Sequence, residues 1–240
     1  MFNRLGGCSQ GIYATLNLGL SVGDDPGSVT ANRASIKEAL GLEILVTARQ
    51  VHGDRIKTIS STEHDLVAGE CDGLITTCPG VGLLIQQADC QAILLHDPVH
   101  RVIAALHNGW RGSVANIIGK AVSVMQNRFG TDPATLLAAI SPSLGPCCAE
   151  FIGHKDYFPI SFQSMRTGEN HFDFWEISRQ QLLAAGLRES RIDIRKICTM
   201  CSPDYFSHRR AVQQGNQQTG RQGSVIALEA GVDRDPSLAK

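Results

Sequence analysis

One cysteine and two histidines carry the most chemistry this sequence offers. Zinc in a catalytic site takes three protein ligands from Cys, His or carboxylate and keeps a fourth position for water or substrate. Cys90 and His107 sit on two apolar, β-rich runs, residues 82–96 and 101–107, around Asp97-Pro98-Val99-His100. That spacer has turn chemistry, with Asp to cap and Pro to fix φ, and so predicts an antiparallel hairpin. If His96 faces Arg101, Cys90 faces His107. Directly opposed side chains have Cβ atoms about 4.5–5.5 Å apart, close enough for a thiolate and an imidazole to share one ion. The third ligand must come from elsewhere, and His52 is the best candidate: it is expected at a strand end, beside Gly53 and near Gln50. The same pair supports a second reading, with Cys90 as nucleophile and His107 as base.

Asn108-Gly109-Trp110-Arg111-Gly112 follows the second run directly. Its glycines allow tight backbone beside a site, and the helix expected after it offers free N–H groups to an anion. Arg111 can fork onto a phosphate or carboxylate. Arg4, Arg33, Arg209, Arg210 and Arg221 are further cations, each of which, taken singly, reads as surface charge.

The elements that must position these groups are mostly legible. Residues 1–4 read as the end of a strand. Asp24-Asp25-Pro26 announces a helix that Gly41 ends, the acids capping it rather than binding metal. Residues 44–51, 55–59 and 72–77 are strand-like. Val114, Ile117, Ile118, Ala121, Val122 and Met125 have helical spacing up to Gly130. Residues 136–140, 192–197 and 224–228 read as strands, and 147–158 and 175–185 as helices. Strands mix with helices around an antiparallel pair, and no linker or repeat divides the chain. The expectation is α+β: one domain, residues 1–240, with mixed and antiparallel sheets flanked by helices.

Composition narrows the partners. The 240 residues are 42% hydrophobic and 19% charged, with net charge −1, so nothing suggests a nucleic-acid footprint. No apolar run approaches the ~18 residues needed to span a bilayer, and no basic-then-apolar leader opens the chain. A cytoplasmic protein, monomeric or weakly homo-oligomeric, is expected. The eight cysteines then read as buried thiols. Cys198-Thr-Met-Cys201 is a CxxC without a second pair, so a structural zinc ribbon is not expected. Cys147 and Cys148 are expected to open a helix and are assigned no chemistry.

Arg4-Leu-Gly-Gly-Cys-Ser, Asn17-Leu-Gly-Leu, Val22-Gly-Asp-Asp, Asn32-Arg33, Gln50-Val-His-Gly, Ala88-Asp-Cys, His107-Asn-Gly-Trp-Arg-Gly, Gly145-Pro-Cys-Cys and Gly220-Arg-Gln occur in that order over nearly the whole chain. Together they resemble the bacterial laccase-domain, or polyphenol-oxidase-like, family of purine nucleoside phosphorylases, of the peptidoglycan-editing-factor type. The resemblance implies an α/β/β/α-like sandwich similar to toxins with a Cys–His hydrolase site. It also implies zinc at His52, Cys90 and His107, and phosphorolysis of adenosine, inosine, guanosine and 5′-methylthioadenosine with adenosine deamination. On this reading nucleoside and phosphate are the small-molecule partners. Arg111, Arg4 and Arg33 hold phosphate, and Asn17 or Gln50 bonds substrate hydroxyls.

The alternatives are a copper phenol oxidase, a Cys–His hydrolase acting on cell-wall precursors, and a non-catalytic binder of a cell-wall enzyme. Copper can compete for a nitrogen–sulfur site. Multicopper oxidation, however, wants clustered imidazoles, and no two of the eight histidines are separated by a single residue. The His-x-Glu of the cytidine-type zinc deaminases is absent, as is a P-loop.

Overall fold

The structure is a computed structural model and describes residues 1–229. Its elements are α1 (Pro26–Leu40), β1 (Ile44–Arg49), β2 (Ile56–Ile59), β3 (Leu66–Glu70), β4 (Gly73–Thr76), β5 (Val81–Gln87), β6 (Gln91–Asp97), β7 (Val102–Asn108), α2 (Trp110–Val114), α3 (Ile117–Phe129), β8 (Leu137–Ile140), α4 (Phe174–Ala184), β9 (Ile192–Ile194), α5 (His208–Gln213) and β10 (Gln222–Ala227). One sheet has the strand order β10-β5-β1-β3 and the other β2-β4-β7-β6-β8-β9. Both are mixed: β1 runs parallel to β3 and β5, and β8 to β9, while β6 and β7 are antiparallel.

Period-two alternation makes the layers. Ile93 and Leu95 of β6 and Val102, Ala104 and Leu106 of β7 pack on Ile118, Met125 and Leu182 of the helices α3 and α4. The intervening Ala92, Leu94, Ile103 and Ala105 meet Val46, Leu83 and Ile85 of the other sheet. On that sheet's outer face Leu45 and Leu84 cover Ile36 of α1. The result is helix, sheet, sheet, helix, a single-domain α+β sandwich as expected. Each fully buried Leu or Ile in these layers contributes about 1.5–3 kcal/mol. Among the described residues no helix is long and apolar enough to cross a membrane.

Local signals explain the helix ends. Asp25 accepts from Ser28 N–H at the start of α1, with Pro26 at its first position, and Gly41 ends it at φ +63. Asn116 and Asp173 cap α3 and α4 in the same way.

Four expectations are corrected. The hairpin register is shifted by two: Asp97 pairs with Val102, and Ala92, not Cys90, faces His107. Asp97 stays in the strand because its carboxylate accepts from the N–H groups of Val99 and His100, while Arg101 closes the turn at φ +52. A shift of two preserves the face, so His107 still points between the sheets. Residues 1–4 form no strand, although Phe2 N–H donates to Gly223 O. Residues 147–158 are turns with a short 3-10 segment, His154–Asp156. Phe151 N–H is held by Asn170 O, Glu150 bridges His171, and Gly153 takes φ +76, so a helix cannot wind there. Finally, β3 and α5 arise where no regular element was expected; β3 is interrupted by Gly69 at φ +78, and α5 is capped by Ser207.

The topology has one consequence for chemistry. The chain crosses from the four-stranded sheet to the six-stranded one between β1 and β2, between β3 and β4, and between β5 and β6. Ile56 pairs with Gly73, Gly73 with Leu106, and Gln91 with Asn108. All these crossings, and the end of β7, therefore meet at one end of the sandwich.

Candidate functional site

Each crossing delivers one side chain. His52 comes from the first, Asp72 from the second and Cys90 from the third, and His107 sits near the end of β7. The ligand atoms of His52, Cys90 and His107 lie within 4.8 Å of one another. The imidazoles of His52 and His107 meet edge to face, with centroids 4.8 Å apart. Gly109 is required by space: a Cβ there would stand 2.9 Å from Cys90 Sγ and 3.3 Å from His52 Cδ2.

Asp72, which the sequence did not single out, organises the cluster. Its buried carboxylate accepts from His107 Nδ1 at 2.8 Å, and from the N–H groups of Val51, His52 and Gly53 at 3.2, 2.9 and 2.8 Å. One side chain thus orients the His107 ring and holds the loop on which His52 takes φ +60. Burial pushes the Asp72 pKa up, but the hydrogen bonds from His107 and the loop outweigh it and hold the group below the usual carboxylate range. The one sequence signal was an acid placed immediately before a strand that is buried throughout.

Cys90 and His107 form a polarised pair. Burial opposes charge on the thiol, yet the His107 imidazole and a hydrogen bond from His52 bring its pKa down to about 6. Burial likewise opposes charge on His107, but the Cys90 thiolate and the Asp72 carboxylate raise it to about 9. The donors suit zinc: one sulfur, two imidazoles, and a carboxylate on the far nitrogen of His107, the arrangement that fixes tautomer and basicity in zinc sites.

The cluster opens into a cavity of about 980 Å³. Arg33, Arg49, Arg111, Arg209 and Arg221 line it, and among the described residues Asp89 is the one acid on its wall. Asp89 is already occupied, accepting from Thr199 Oγ1 and Arg209 N–H, both at 2.7 Å. Trp110, Phe151 and Phe174 supply flat apolar surface. The Arg111 guanidinium lies 4.2 Å from the Trp110 ring centroid and that of Arg209 5.6 Å from Phe151.

Not every expected residue reaches this cavity. Arg4 donates to Ala14 O at 2.6 Å and stacks on Phe206; it does not line the wall. Asn17 is fully buried, its amide holding Gly19, Asp24 and Arg221 N–H. Gln50 lines the cavity, but both ends of its amide bond the backbone of Gln86, so its work is to tie β1 to β5. Arg33 lines it too, with Nε and Nη2 on Leu18 O. Arg49 and the aromatic wall had no local signal, because they come from separate segments.

Over residues 1–229 the chain matches the family model described as multi-copper polyphenol oxidoreductase laccase. It is 36% identical over 227 residues to a purine nucleoside phosphorylase of Bacteroides thetaiotaomicron, covering 86% of this chain and 84% of that protein. It is 35% identical over 224 residues to purine nucleoside phosphorylase YlmD of Geobacillus stearothermophilus, covering 85% and 82%. The crystal structure of YlmD from that species superposes with a TM-score of 0.85 at 33% identity, over 95% of this chain and 90% of that one. That of the hypothetical protein YfiH of Bacillus licheniformis gives 0.86 at 30% identity, over 95% and 91%. With its full described length matched and its fold shared, the chain belongs to the family described as multi-copper polyphenol oxidoreductase laccase.

Proposed function

We propose that the chain is a zinc-dependent purine nucleoside phosphorylase acting on adenosine, inosine, guanosine and 5′-methylthioadenosine, and that it also deaminates adenosine. The observation that carries this reading is the joining of a three-ligand cluster to a cavity rich in arginine and aromatic surface and nearly free of acids. The names of the relatives point the same way.

Phosphorolysis forms a bond from a phosphate oxygen to ribose C1′ and breaks the bond from C1′ to the purine nitrogen. Ribose 1-phosphate and a free purine result, and the departing nitrogen takes a proton. Arg111 and Arg221, with Arg33 behind them, hold the phosphate. Trp110, Phe151 and Phe174 offer faces on which a purine stacks. Asp72 keeps the His107 Nδ1 proton, so the other ring nitrogen faces Cys90. His52, Cys90 and His107 would hold the zinc, which would supply Lewis acidity there.

One observation favours a second reading. Cys90, His107 and Asp72 also have the order of a nucleophile, base and orienting carboxylate, which would serve a metal-free cysteine hydrolase.

Zinc-loaded protein incubated with adenosine and phosphate, with and without chelator, separates the two. Adenine and ribose 1-phosphate that require both phosphate and metal are expected, with inosine as a second product. Failure of the zinc-loaded and copper-loaded proteins to convert any of the four nucleosides overturns the proposal. Hydrolysis that survives chelation and is abolished by alkylation of Cys90 favours the hydrolase.

A further inference from the structure

The parallel pairing of β8 with β9 (Ala138 with Ile192, Ile140 with Ile194) continues beyond both strands. Ser143 bridges Cys198, Ser143 N–H donates to Ile197 O, and Thr199 N–H donates to Ser143 O. Two loops that are distant in sequence are thereby laid side by side, one carrying Cys147-Cys148 and the other Cys198-Thr-Met-Cys201. The second cysteine pair whose absence argued against a zinc ribbon is supplied by the fold.

The sulfurs of these four residues lie within 4.8 Å of one another. Cys201 Sγ is 3.6 Å from Cys147 Sγ and 3.5 Å from Cys148 Sγ. Thiolates about 2.3 Å from one tetrahedral zinc stand about 3.8 Å apart, so the spacing is that of a ligand shell around one ion, whereas disulfide sulfurs approach to about 2.05 Å. All four are free thiols. The two loops also supply polar contacts. Backbone N–H groups of Gly145 and Cys201 donate to Cys198 Sγ. Arg210 Nη1 gathers the outward carbonyls of Thr199, Met200 and Ser202. Gly145 has no room for a side chain, since a Cβ would sit 2.8 Å from the Trp175 ring and 3.0 Å from Cys198 Cβ.

The geometry points to a second metal site, in which Cys147, Cys148, Cys198 and Cys201 bind a zinc ion as a closed tetrathiolate with structural purpose. Binding releases the thiol protons to solvent and leaves no position for substrate. The loops so joined grip the cavity wall: Leu144 N–H donates to Asp89 O at 2.8 Å and Thr199 Oγ1 to Asp89 Oδ1 at 2.7 Å. Asp89 holds the left-handed φ of +82 that aims Cys90 into the first cluster. The site therefore braces the segment carrying Cys90 without touching substrate.

The test uses Cys90→Ser, which removes the only sulfur from the first cluster. Purified under reducing conditions, this variant is expected to retain one tightly bound zinc per chain. Exchanged with cobalt, it is expected to show the intense sulfur-to-cobalt charge transfer of a tetrathiolate. Titration with a mercurial should release the zinc as the thiols of the cluster react, a readout that needs no further mutation. Adding Cys198→Ser and Cys201→Ser should abolish both the zinc and the charge-transfer band. The proposal is overturned if Cys90→Ser carries no tightly bound zinc, if mass spectrometry finds a disulfide among the four cysteines in place of metal, or if the band survives the added substitutions.

Discussion

The two cysteine-bearing clusters are built by opposite means. The first gathers one sulfur and two imidazoles from different crossings and a strand end, backs them with a buried carboxylate, and opens onto a large cavity. The second gathers four sulfurs from two loops, is backed by amides and a guanidinium, and lies at the surface, where Cys147 and Cys201 are exposed. Three mixed ligands with an open position suit catalysis, and four sulfurs with none suit a structural ion. Composition and closure, rather than mere possession of ligands, separate the two roles.

The comparison breaks most easily by exchanging the effects of its parts. Cys90→Ser should lower phosphorolysis by at least about 10³-fold, since a Lewis acid contributes several kcal/mol to a transition state, while thermal unfolding moves little. Cys198→Ser should do the reverse. It opens the clip between Cys148 and Cys198, which the chain-entropy relation values at about 4 kcal/mol, lowering Tm by about 10 °C. Calorimetry with steady-state assays checks both, and equal effects in the two variants would dissolve the distinction.

Alkylation of metal-free protein sharpens it next. Cys90, with its pKa lowered to about 6 by the imidazole of His107, is thiolate at neutral pH. Its reaction with iodoacetamide should stay flat on acidification until pH falls through about 6. Cys147, pushed up to about 11 by burial and its sulfur neighbours, should react only as pH rises toward that value. At pH 7 the rates should differ on the order of 10²-fold, the thiolate fraction outweighing the lower nucleophilicity of the more acidic sulfur. Mass spectrometry of the labelled peptides reads this directly.

Asp72→Asn preserves shape and removes the charge behind His107. Zinc affinity at the first cluster should fall by about 10–100-fold, measured by competition with a chromogenic chelator, with no change at the second. Smaller still, Arg111→Ala should raise KM for phosphate by about tenfold, the scale of one charge-assisted hydrogen bond. Arg4→Ala should leave that KM unchanged within about twofold, because Arg4 is committed to Ala14 and Phe206.

The same contrast marks what a reader of the sequence can see. α1, α3 and α4 were legible because Asp25, Gly41, Gly130 and Gly186 write their ends into adjacent positions. The central pair of strands, β6 and β7, was legible through alternation, and that alternation preserved the facing of His107 even though the register was displaced by two. The displacement came from Asp97, which serves at once as strand residue and turn cap. His52 and Cys90 were singled out because few residue types complete a zinc site, and the fold brings their ligand atoms within 4.8 Å of that of His107. Asp72 was not, since an acid before a strand looks like a turn residue until its partners are known. The four-sulfur cluster was beyond reach for a deeper reason: it depends on the β8–β9 pairing, which no short-range pattern encodes.

The convergence of three inter-sheet passages, β1 to β2, β3 to β4 and β5 to β6, at one end of the sandwich sets what can vary. Each passage is anchored in both layers within a few residues, so lengthening one would drag His52, Asp72 or Cys90 out of place. Another part of the cavity's rim, lined by Leu20, Ser21, Val22, Val212 and Gln213, carries no such tether. Diversification of ligand preference among relatives is therefore expected to be written in that rim, leaving the stitched end as a fixed reaction centre.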